Sequence, residues 1–407
     1  MSSDWNSCTL GEFVRLQRGH DLTAAEQVAG SVPIMGSAGP NGFHNKSLAK
    51  GPGVVIGRSG ASAGRVHYCE TDYWPHNTCL YVTDFLGNNP KFAYYLLQTV
   101  DLASFNSGSA QASLNRNFLY SIPLLVPCLE EQAELVAILS ALDDRITLLR
   151  NTNETLDAIA QALFKSWFVD FDPVRAKSEG KLPEGMDAAT ASLFPDAFEE
   201  TELGMVPRGW GVNSLSAFIT ECSSRIGAEQ AIVLSAVQTG NLVMSSDFFN
   251  KRVHSKDISK YKAVQPYSYA YNPSRINIGS IGMNEMGTVG AVSPIYVVFN
   301  PNDIAYGYYL WHLLKINRIR ELIKTMSSGT VRQSLSFKDF ASIKVALPTA
   351  EIVQNFFEMR HEIFKAILEK EERISLLTNL RDTLLPPLIT GQMRISEAKA
   401  ELEKVIA

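Results

Sequence analysis

Apolar residues recur at alternating steps of four and three through the middle of the chain. An apolar position every 3.5 residues on average keeps one stripe of a helix against a partner helix, as in a coiled coil. The stripe therefore predicts one long helix. Its single polar member, Asn153, either sets the register of the pairing or lies where the helix is locally exposed. The stripe consists of Leu135, Leu139, Leu142, Ile146, Leu149, Asn153, Leu156, Ala160, Leu163 and Trp167.

A second, noisier stripe lies 221 residues further along. It consists of Phe356, Arg360, Ile363, Ile367, Lys370, Ile374, Leu377, Arg381, Leu384 and Leu388. We expect its three basic side chains to lie along the stripe and to keep their charges in water. Pro386 and Pro387 are predicted to end this helix, because proline lacks the N–H and crowds the preceding turn. The two helices are expected to pair, antiparallel if an approximate twofold axis relates the two halves of the chain.

Shorter matches repeat in the same order along both halves. Trp5 and Leu10 recur 205 residues later, Tyr94-Tyr95-Leu96 recurs 214 residues later, and Ser113-Leu114 recurs 221 residues later. A fixed order with a slowly growing offset predicts an internal repeat whose second copy carries insertions.

Each copy has the same plan, with β-branched and aromatic runs before its long helix. The strand signals are residues 53–57, 79–82 and 295–299, and short helices are expected at residues 91–102 and 306–326. The fold class is therefore α+β: two α+β domains joined by two long antiparallel coiled-coil helices in a pseudo-twofold repeat. The predicted segments are a first domain (1–127), a first helix (128–169), a linker (170–206), a second domain (207–347), a second helix (348–390) and a C-terminal tail (391–407).

Charge is unevenly distributed along the 407 residues, whose formal net charge is −5. Residues 1–127 carry no net charge, residues 128–206 carry −10, residues 207–347 carry +7 and residues 348–407 carry −2. The second domain is thus basic, and its positive run is either a phosphate-binding surface or a solvated lysine-rich face. That run contains Lys251, Arg252, Lys256, Lys260 and Lys262.

Motifs for catalysis are absent from the sequence: there is no P-loop, no His-Glu-x-x-His and no Gly-x-Ser-x-Gly elbow. The five scattered cysteines form no Cys-x-x-Cys pair, so neither a disulfide framework nor a zinc site is expected. Gly57-Arg58-Ser59-Gly60 suits close backbone packing or approach to a phosphate. Asn272-Pro273-Ser274-Arg275 is interpreted as a turn. No signal peptide or membrane span is recognised, so a cytoplasmic protein is expected.

Longer motifs resemble one known family. They are Gly108-Ser109-Ala110-Gln111-Ala112-Ser113-Leu114, then Ile122-Pro123-Leu124-Leu125-Val126-Pro127, then Glu130-Glu131-Gln132, Leu163-Phe164-Lys165-Ser166-Trp167-Phe168 and Leu384-Leu385-Pro386-Pro387-Leu388. Over essentially its whole length the chain resembles the specificity (S) subunit of type I restriction–modification systems. Ala350-Glu351-Ile352-Val353 departs from the usual Pro-x-x-Glu-Gln at the start of the second helix.

The resemblance implies a non-catalytic subunit that reads a split target on double-stranded DNA, one half with each domain. Methyltransferase (M) subunits would dock on it and methylate adenine with S-adenosylmethionine, and restriction (R) subunits would add cleavage driven by ATP and Mg. The chain itself is expected to bind no cofactor or metal and no membrane. A helix of 33 residues, about 50 Å long, would space the two readers by roughly one to one and a half DNA turns.

Candidate site residues fall into two sets. Glycine-flanked segments at residues 107–111 and 327–333, together with the basic run, are expected to contact DNA. That set is Arg58, Ser59, Ser109, Gln111, Asn115, Lys251, Arg252, Lys256, Lys262, Arg275, Thr330, Arg332 and Gln333. The set for helix pairing and subunit docking is Leu135, Leu142, Ile146, Asn153, Leu156, Leu163, Trp167, Phe356, Ile363, Ile374, Leu377 and Leu384. The alternative function is a coiled-coil adaptor, an orphan or decoy that binds proteins without reading DNA.

Overall fold

The computed structural model describes residues 5–105, 113–228, 230–238, 240–248, 255, 257–327 and 334–406. The chain forms two compact units. The first comprises residues 1–151 and 370–407, and the second comprises residues 152–369. Each unit therefore contains one sheet-rich domain and a segment of each long helix.

The sheet-rich part of the first unit is built from β1 (Asn6–Thr9), α1 (Leu10–Phe13), β2 (Arg15–Arg18), β3 (Val32–Gly36), β4 (Gly39–His44), β5 (Gly53–Gly57), β6 (Val66–Cys69), β7 (Trp74–Pro75), β8 (Cys79–Asp84), α2 (Pro90–Thr99), α3 (Arg116–Leu119) and β9 (Pro123–Val126). Strands β2, β8, β5 and β6 form an antiparallel sheet in that order. Strands β4, β3 and β7 form a second sheet, and β1 pairs with β9. Helix α2 packs on β5 and β6.

Helix α2 is shorter than the predicted segment. Asn89 caps its start, since its side chain accepts hydrogen bonds from the backbone N–H groups of Lys91 and Phe92, and Pro90 occupies the first turn. The helix ends at Thr99 because Val100 is extended, and Leu102 enters the core from a separate short 3₁₀ turn.

The first long helix is α4 (Leu129–Lys165), which continues into one wider π-helical turn over Ser166–Asp170. The following segment is largely ordered, with α5 (Asp172–Ser178), α6 (Ala188–Leu193) and the hairpin of β10 (Phe198–Thr201) with β11 (Gly204–Pro207). Val174 and Phe194 from this segment are buried in the core of the second unit.

The sheet-rich part of the second unit repeats the plan of the first with β12 (Gly211–Ser214), β13 (Ile219–Cys222), β14 (Ile232–Ala236), β15 (Leu242–Met244), α7 (Ser245–Phe248), β16 (Lys262–Val264), β17 (Tyr269–Tyr271), β18 (Ile281–Met283), β19 (Gly290–Val292), β20 (Val297–Pro301), α8 (Tyr306–Leu313), α9 (Asn317–Ser327), α10 (Phe337–Ala341) and β21 (Lys344–Leu347). The sheet order β13-β20-β17-β18 matches β2-β8-β5-β6, and β12 pairs with β21 as β1 pairs with β9. The internal repeat is thus confirmed in the strand connectivity.

The helix predicted over residues 306–326 is two helices. Helix α8 is buried from Gly307 to Leu313, whereas α9 buries Ile319 and Ile323 and exposes Arg318, Arg320 and Lys324. One straight helix cannot satisfy both environments, and the chain turns between them through hydrogen bonds from the N–H groups of Lys315 and Ile316 to carbonyls three residues back.

The second long helix, α11 (Ala350–Ile389), passes through Pro386 and Pro387. The prediction that these prolines end the helix is wrong. A proline removes one hydrogen bond but its φ angle suits a helix. Here Leu388 and Ile389 are fully buried, which favours one more turn, and Thr390 donates its N–H to the carbonyl of Pro386. The predicted tail contains α12 (Ile395–Ile406), whose Ala398 lies in the core of the first unit.

The long helices pack antiparallel within each unit. In the second unit, three contacts join α4 to α11: Asn153 with Ile367, Asp157 with Arg360 and Phe164 with Phe356. The residue numbers increase along α4 while those of their partners on α11 decrease. In the first unit Leu135, Leu142 and Ile146 share a core with Leu377 and Leu384.

Arg360 does not keep its charge in water as expected from the sequence, since only 3% of its side chain is exposed. Its guanidinium lies over the rings of Tyr308 at 4.8 Å, Trp311 at 5.3 Å and Phe364 at 5.7 Å. Tyr308 and Trp311 come from α8, and Phe364 lies one turn further along α11, so ring faces instead of water surround the charge.

Candidate nucleic-acid interface

In the first unit, the glycine-rich loop after β5 meets the segment that precedes α3. Ser59 and Ser113 form an antiparallel bridge, and the N–H of Leu114 donates to the carbonyl of Arg58 over 2.9 Å. Asn115 follows at once. The structure therefore brings together Arg58, Ser59 and Asn115, three of the residues predicted from sequence to bind DNA.

Ser37 fixes the glycine-rich loop after β5 through two hydrogen bonds. Its hydroxyl oxygen accepts hydrogen bonds of 3.1 Å from the N–H groups of both Arg58 and Ser59. Gly57 has no room for a side chain, because a Cβ atom there would lie 2.1 Å from the carbonyl oxygen of Ser62 and 2.7 Å from that of Ser37. Of the two interpretations of the glycines, close backbone packing describes Gly57.

An open, polar groove of about 920 Å³ runs across this junction. Its lining includes Arg18, His20, Arg58, Asn115, Arg116 and Asn117, with Asp21 as the single carboxylate. Such a surface offers guanidinium and amide groups, which bind phosphates and base edges.

The groove contains both fixed and exposed donors. Arg58 donates to the carbonyl of Asn77 over 2.9 Å, and Arg116 donates to the carbonyl of Leu16 over 3.1 Å. These bonds orient two guanidinium groups. Asn115 caps α3, because its side-chain oxygen accepts from the N–H of Asn117. Arg18 and Asn117 are exposed beside them.

The groove residues that were not predicted from the sequence include Arg18, His20, Arg116 and Asn117. Arg116 and Asn117 directly follow the repeated Ser113-Leu114 pair, and that position was the available signal. Arg18 and His20, at and just after the end of β2, precede Arg116 by 98 and 96 residues. They reach the groove because β2 pairs with β8 and because Arg116 donates to the carbonyl of Leu16 in β2.

The second unit has a counterpart to this junction. The N–H of Leu335 donates to the carbonyl of Pro273 over 3.2 Å, as Leu114 does to Arg58. Residues 272–275 are a turn, in which the side-chain oxygen of Asn272 accepts from the N–H of Ser274. Arg275 in this turn is exposed.

The predicted basic run is only partly described. Lys251, Arg252 and Lys256 lie outside the described residues, as do Ser109, Gln111, Thr330, Arg332 and Gln333. Lys262 is half-buried in β16 and donates from Nζ to the carbonyl of Tyr296 over 2.7 Å, so its amino group is held by the protein. Lys260 is exposed nearby. A role of these residues in DNA binding stays a prediction.

The chain is similar to one group of known proteins. Residues 2–158 match the family described as the type I restriction modification DNA specificity domain. A specificity subunit of the type I restriction enzyme MjaIX from Methanocaldococcus jannaschii is 24% identical over 75% of this chain and 70% of its own length. That of HindI from Haemophilus influenzae is 27% identical over 75% of this chain and 77% of its own.

These matches support the resemblance of the chain to type I restriction–modification specificity subunits. Its fold is also that of a solved relative, the S subunit from M. genitalium, with a TM-score of 0.60 at 16% identity over 95% of this chain and 96% of the other. The alternative of a protein-binding adaptor receives no support from these relatives.

The predicted pairing residues are buried or half-buried along the two long helices. Trp167 and Phe356 are buried in the second unit, where Leu156, Leu163 and Ile363 are half-buried. Ile374 is half-buried against the core of the first unit. Asn153 donates from Nδ2 to the carbonyl of Ile367 over 3.4 Å, which links the two helices at one register position. Their role in docking other subunits stays a prediction.

Two features are absent from the described residues. These residues contain no group of three or more His, Cys, Asp or Glu side chains placed to hold a metal ion. None of their helices has the length and apolarity needed to cross a membrane.

Proposed function

We propose that this chain supplies the DNA-target specificity of a type I restriction–modification complex. The observation that carries the proposal is the groove of the first unit, where three arginines and two asparagines line one polar surface beside a loop junction that recurs in the second unit. Two sheet-rich domains with the same loop junction suit a DNA target that consists of two half-sites.

The donor set fits both tasks of DNA recognition. Guanidinium groups bind phosphates and the O6 and N7 atoms of guanine, and carboxamides bind the N6 and N7 atoms of adenine. Arg58 and Arg116 are oriented by carbonyls of the protein, which lowers the entropy lost on binding. Asn117 is exposed at the first turn of α3 and is assigned to base reading.

The partners follow from the family. M subunits would dock on the paired helices and methylate adenine with S-adenosylmethionine, and R subunits would use ATP and Mg. This chain would hold none of these cofactors. Its own contribution is to choose the site at which the partner subunits act, in the cytoplasm.

Methylome sequencing of cells that carry variants of the full chain tests the function. We expect Asn117→Ala to relax or change one half of the methylated target and to leave the other half unchanged. Lys50→Ala is the matched control, because Lys50 is exposed in the same unit, away from the groove lining, and pairs with Asp72.

Two results would contradict the proposal. One is that two variants keep the methylated target of the parent chain: Asn117→Ala, and a variant in which Arg18, Arg58 and Arg116 are all changed to alanine. The other is a complex that assembles and shows no preference for any DNA sequence, which is the outcome the adaptor alternative requires.

A further inference from the structure

The second copy of the repeat contains a helix that has no counterpart among the described residues of the first copy. The offset between copies grows from 214 at Tyr94 and Tyr308 to 221 at Leu114 and Leu335, which locates seven extra residues between these points. In the structure this stretch of the second unit contains α9, whereas the described part of the first unit has only a four-residue 3₁₀ turn there.

Helix α9 forms one wall of a pocket of about 420 Å³ in the second unit. Its floor is apolar, with Ile276, Ile281, Leu314 and Ile323 among its residues. Its polar lining has three cations, Lys315, Arg320 and Lys324, one carboxylate, Glu321, and the carboxamides of Gln238 and Asn277.

On the opposite wall of the pocket, two glycines allow neighbouring backbone segments to approach each other closely. Gly279 has a φ of +89°, and a Cβ atom there would lie 2.7 Å from the carbonyl oxygen of Gln238. A Cβ atom on Gly282 would lie 2.4 Å from the backbone nitrogen of Leu242. Both positions therefore require glycine, and main-chain groups contribute to the wall.

Lys315 is the most enclosed of the three cations. Its ammonium lies over the ring of Trp311. The guanidinium of Arg360 lies over the same ring, 5.3 Å from its centroid. Burial lowers the pKa of Lys315 to about 8; Asp157 and Glu285 oppose this, and Arg360 and Arg320 lower it further. An anion in the pocket would stabilise the charged form of Lys315.

We propose that this pocket binds a phosphate group, from the backbone of bound DNA or from a free nucleotide. A phosphate offers more acceptor oxygens than a carboxylate, which suits several cations with two carboxamides. The apolar floor would accept the attached sugar. The DNA source rests on the proposed function, whereas the free-nucleotide source does not.

The first experiment is calorimetric titration of the full chain with inorganic phosphate and with dAMP at pH 7.5. We expect Lys315→Gln to weaken binding of these probes at least tenfold and Lys315→Arg to keep it. Lys181→Gln, at an exposed lysine of the same unit outside this pocket, is the control and should bind as the parent does.

The second experiment is duplex binding across salt concentrations. If DNA supplies the phosphate, Lys315→Gln should lower the slope of log affinity against log salt by about 0.9, the value for one lost phosphate contact. If Lys315→Gln lowers the salt slope and leaves binding of inorganic phosphate and dAMP unchanged, the DNA backbone is the source of the phosphate. If it weakens binding of these probes and leaves the salt slope unchanged, a free nucleotide is the source.

Acidity provides a third readout. Raising the pH from 7.5 to 9.5 should weaken binding to the parent chain and leave Lys315→Arg almost unchanged, because arginine stays charged. The charged and titratable groups around Lys315 are Asp157, Glu285, His312, Arg320, Glu321, Lys324 and Arg360.

The pocket proposal is overturned if Lys315→Gln, folded as judged by circular dichroism, changes neither free-probe binding nor the duplex salt slope. If the parent chain in its complex binds no duplex at all, the proposed function fails, and the free-probe titration still decides the pocket.

Discussion

The carboxylate of Asp143 on α4 lies 2.9 Å from the guanidinium nitrogen Nη1 of Arg381 on α11, although 238 residues separate them in the chain. The hydroxyl of Tyr95 on α2 donates to the other carboxylate oxygen over 2.6 Å. Asp143 therefore ties both long helices to the sheet-rich domain of the first unit, and only about a quarter of each ionic side chain is exposed.

A double-mutant cycle tests this link. We expect Asp143→Ala and Arg381→Ala each to lower the free energy of unfolding by about 1.5–3 kcal/mol, since each removes hydrogen bonds to a charged group. Their coupling should be about 1 kcal/mol. Urea denaturation measures it, with the exposed pair Lys365 and Glu362 as a control whose coupling stays below about 0.5 kcal/mol. Additive single effects would show that the pair does not hold the helices.

Arg360 carries a buried charge with incomplete compensation. Its Nε and Nη1 atoms have no hydrogen-bond partner among the described residues, and its Nη2 atom lies 3.5 Å from Asp157. Replacing a buried ion pair by apolar side chains is often neutral or stabilising by about 1–4 kcal/mol. We expect Arg360→Met combined with Asp157→Leu to raise the unfolding midpoint, with exposed Arg373→Met as the control. A fall of the midpoint would mean that the ring faces of Tyr308, Trp311 and Phe364 more than compensate the charge.

Gly57 allows the loop of the groove to form. Gly57→Ala would push a methyl group into two backbone carbonyls, and we expect it to destabilise the first unit by about 2 kcal/mol or more. Gly60→Ala meets no atom within 4 Å but strains a φ of +75°, so it should cost about 1 kcal/mol. Equal stability losses in thermal unfolding would contradict the close packing at Gly57.

Arg18 is exposed at the groove, and we predict that it binds a DNA phosphate. Arg18→Ala should weaken binding of the complex to all duplex sequences alike and lower the salt slope by about 0.9. Fluorescence anisotropy with a target duplex and a scrambled duplex measures both effects. A loss confined to the target duplex would instead identify Arg18 as a base-reading residue.

Lys315 should make stability depend on pH. Its pKa is about 8 in the folded chain against an ordinary 10.5, so between these values the unfolded chain keeps a proton that the folded chain has released. The unfolding free energy of the parent chain should therefore rise with pH across this window. Lys315→Met has no charge to bury, so we expect it to be more stable than the parent chain at pH 7. The difference in unfolding free energy between the two should be smaller at pH 10, where the parent chain has gained stability. A pH-independent difference in phosphate-free urea titrations would contradict the lowered pKa.

Much of the architecture is determined by local patterns in the sequence. The spacing of Leu135, Leu139 and Leu142 is a helical period, and a stripe of that length can be buried only against another helix. The strand over Gly53–Gly57 follows from a short β-branched run between glycines. The repeat of Ser113-Leu114 as Ser334-Leu335 corresponds in the structure to a hydrogen bond that forms twice, from Leu114 to Arg58 and from Leu335 to Pro273.

The site needed the tertiary structure. Arg18 joins Arg58 and Arg116 because β2 pairs with β8, because Ser59 pairs with Ser113 and because Arg116 donates to the carbonyl of Leu16 in β2. No local period in the sequence records such long-range contacts. The burial of Arg360 and the continuation of α11 through Pro386 were decided in the same way. In each case the free energy comes from packing against residues distant in the chain, which outweighs the local preference of an arginine for water or of a proline for a helix end.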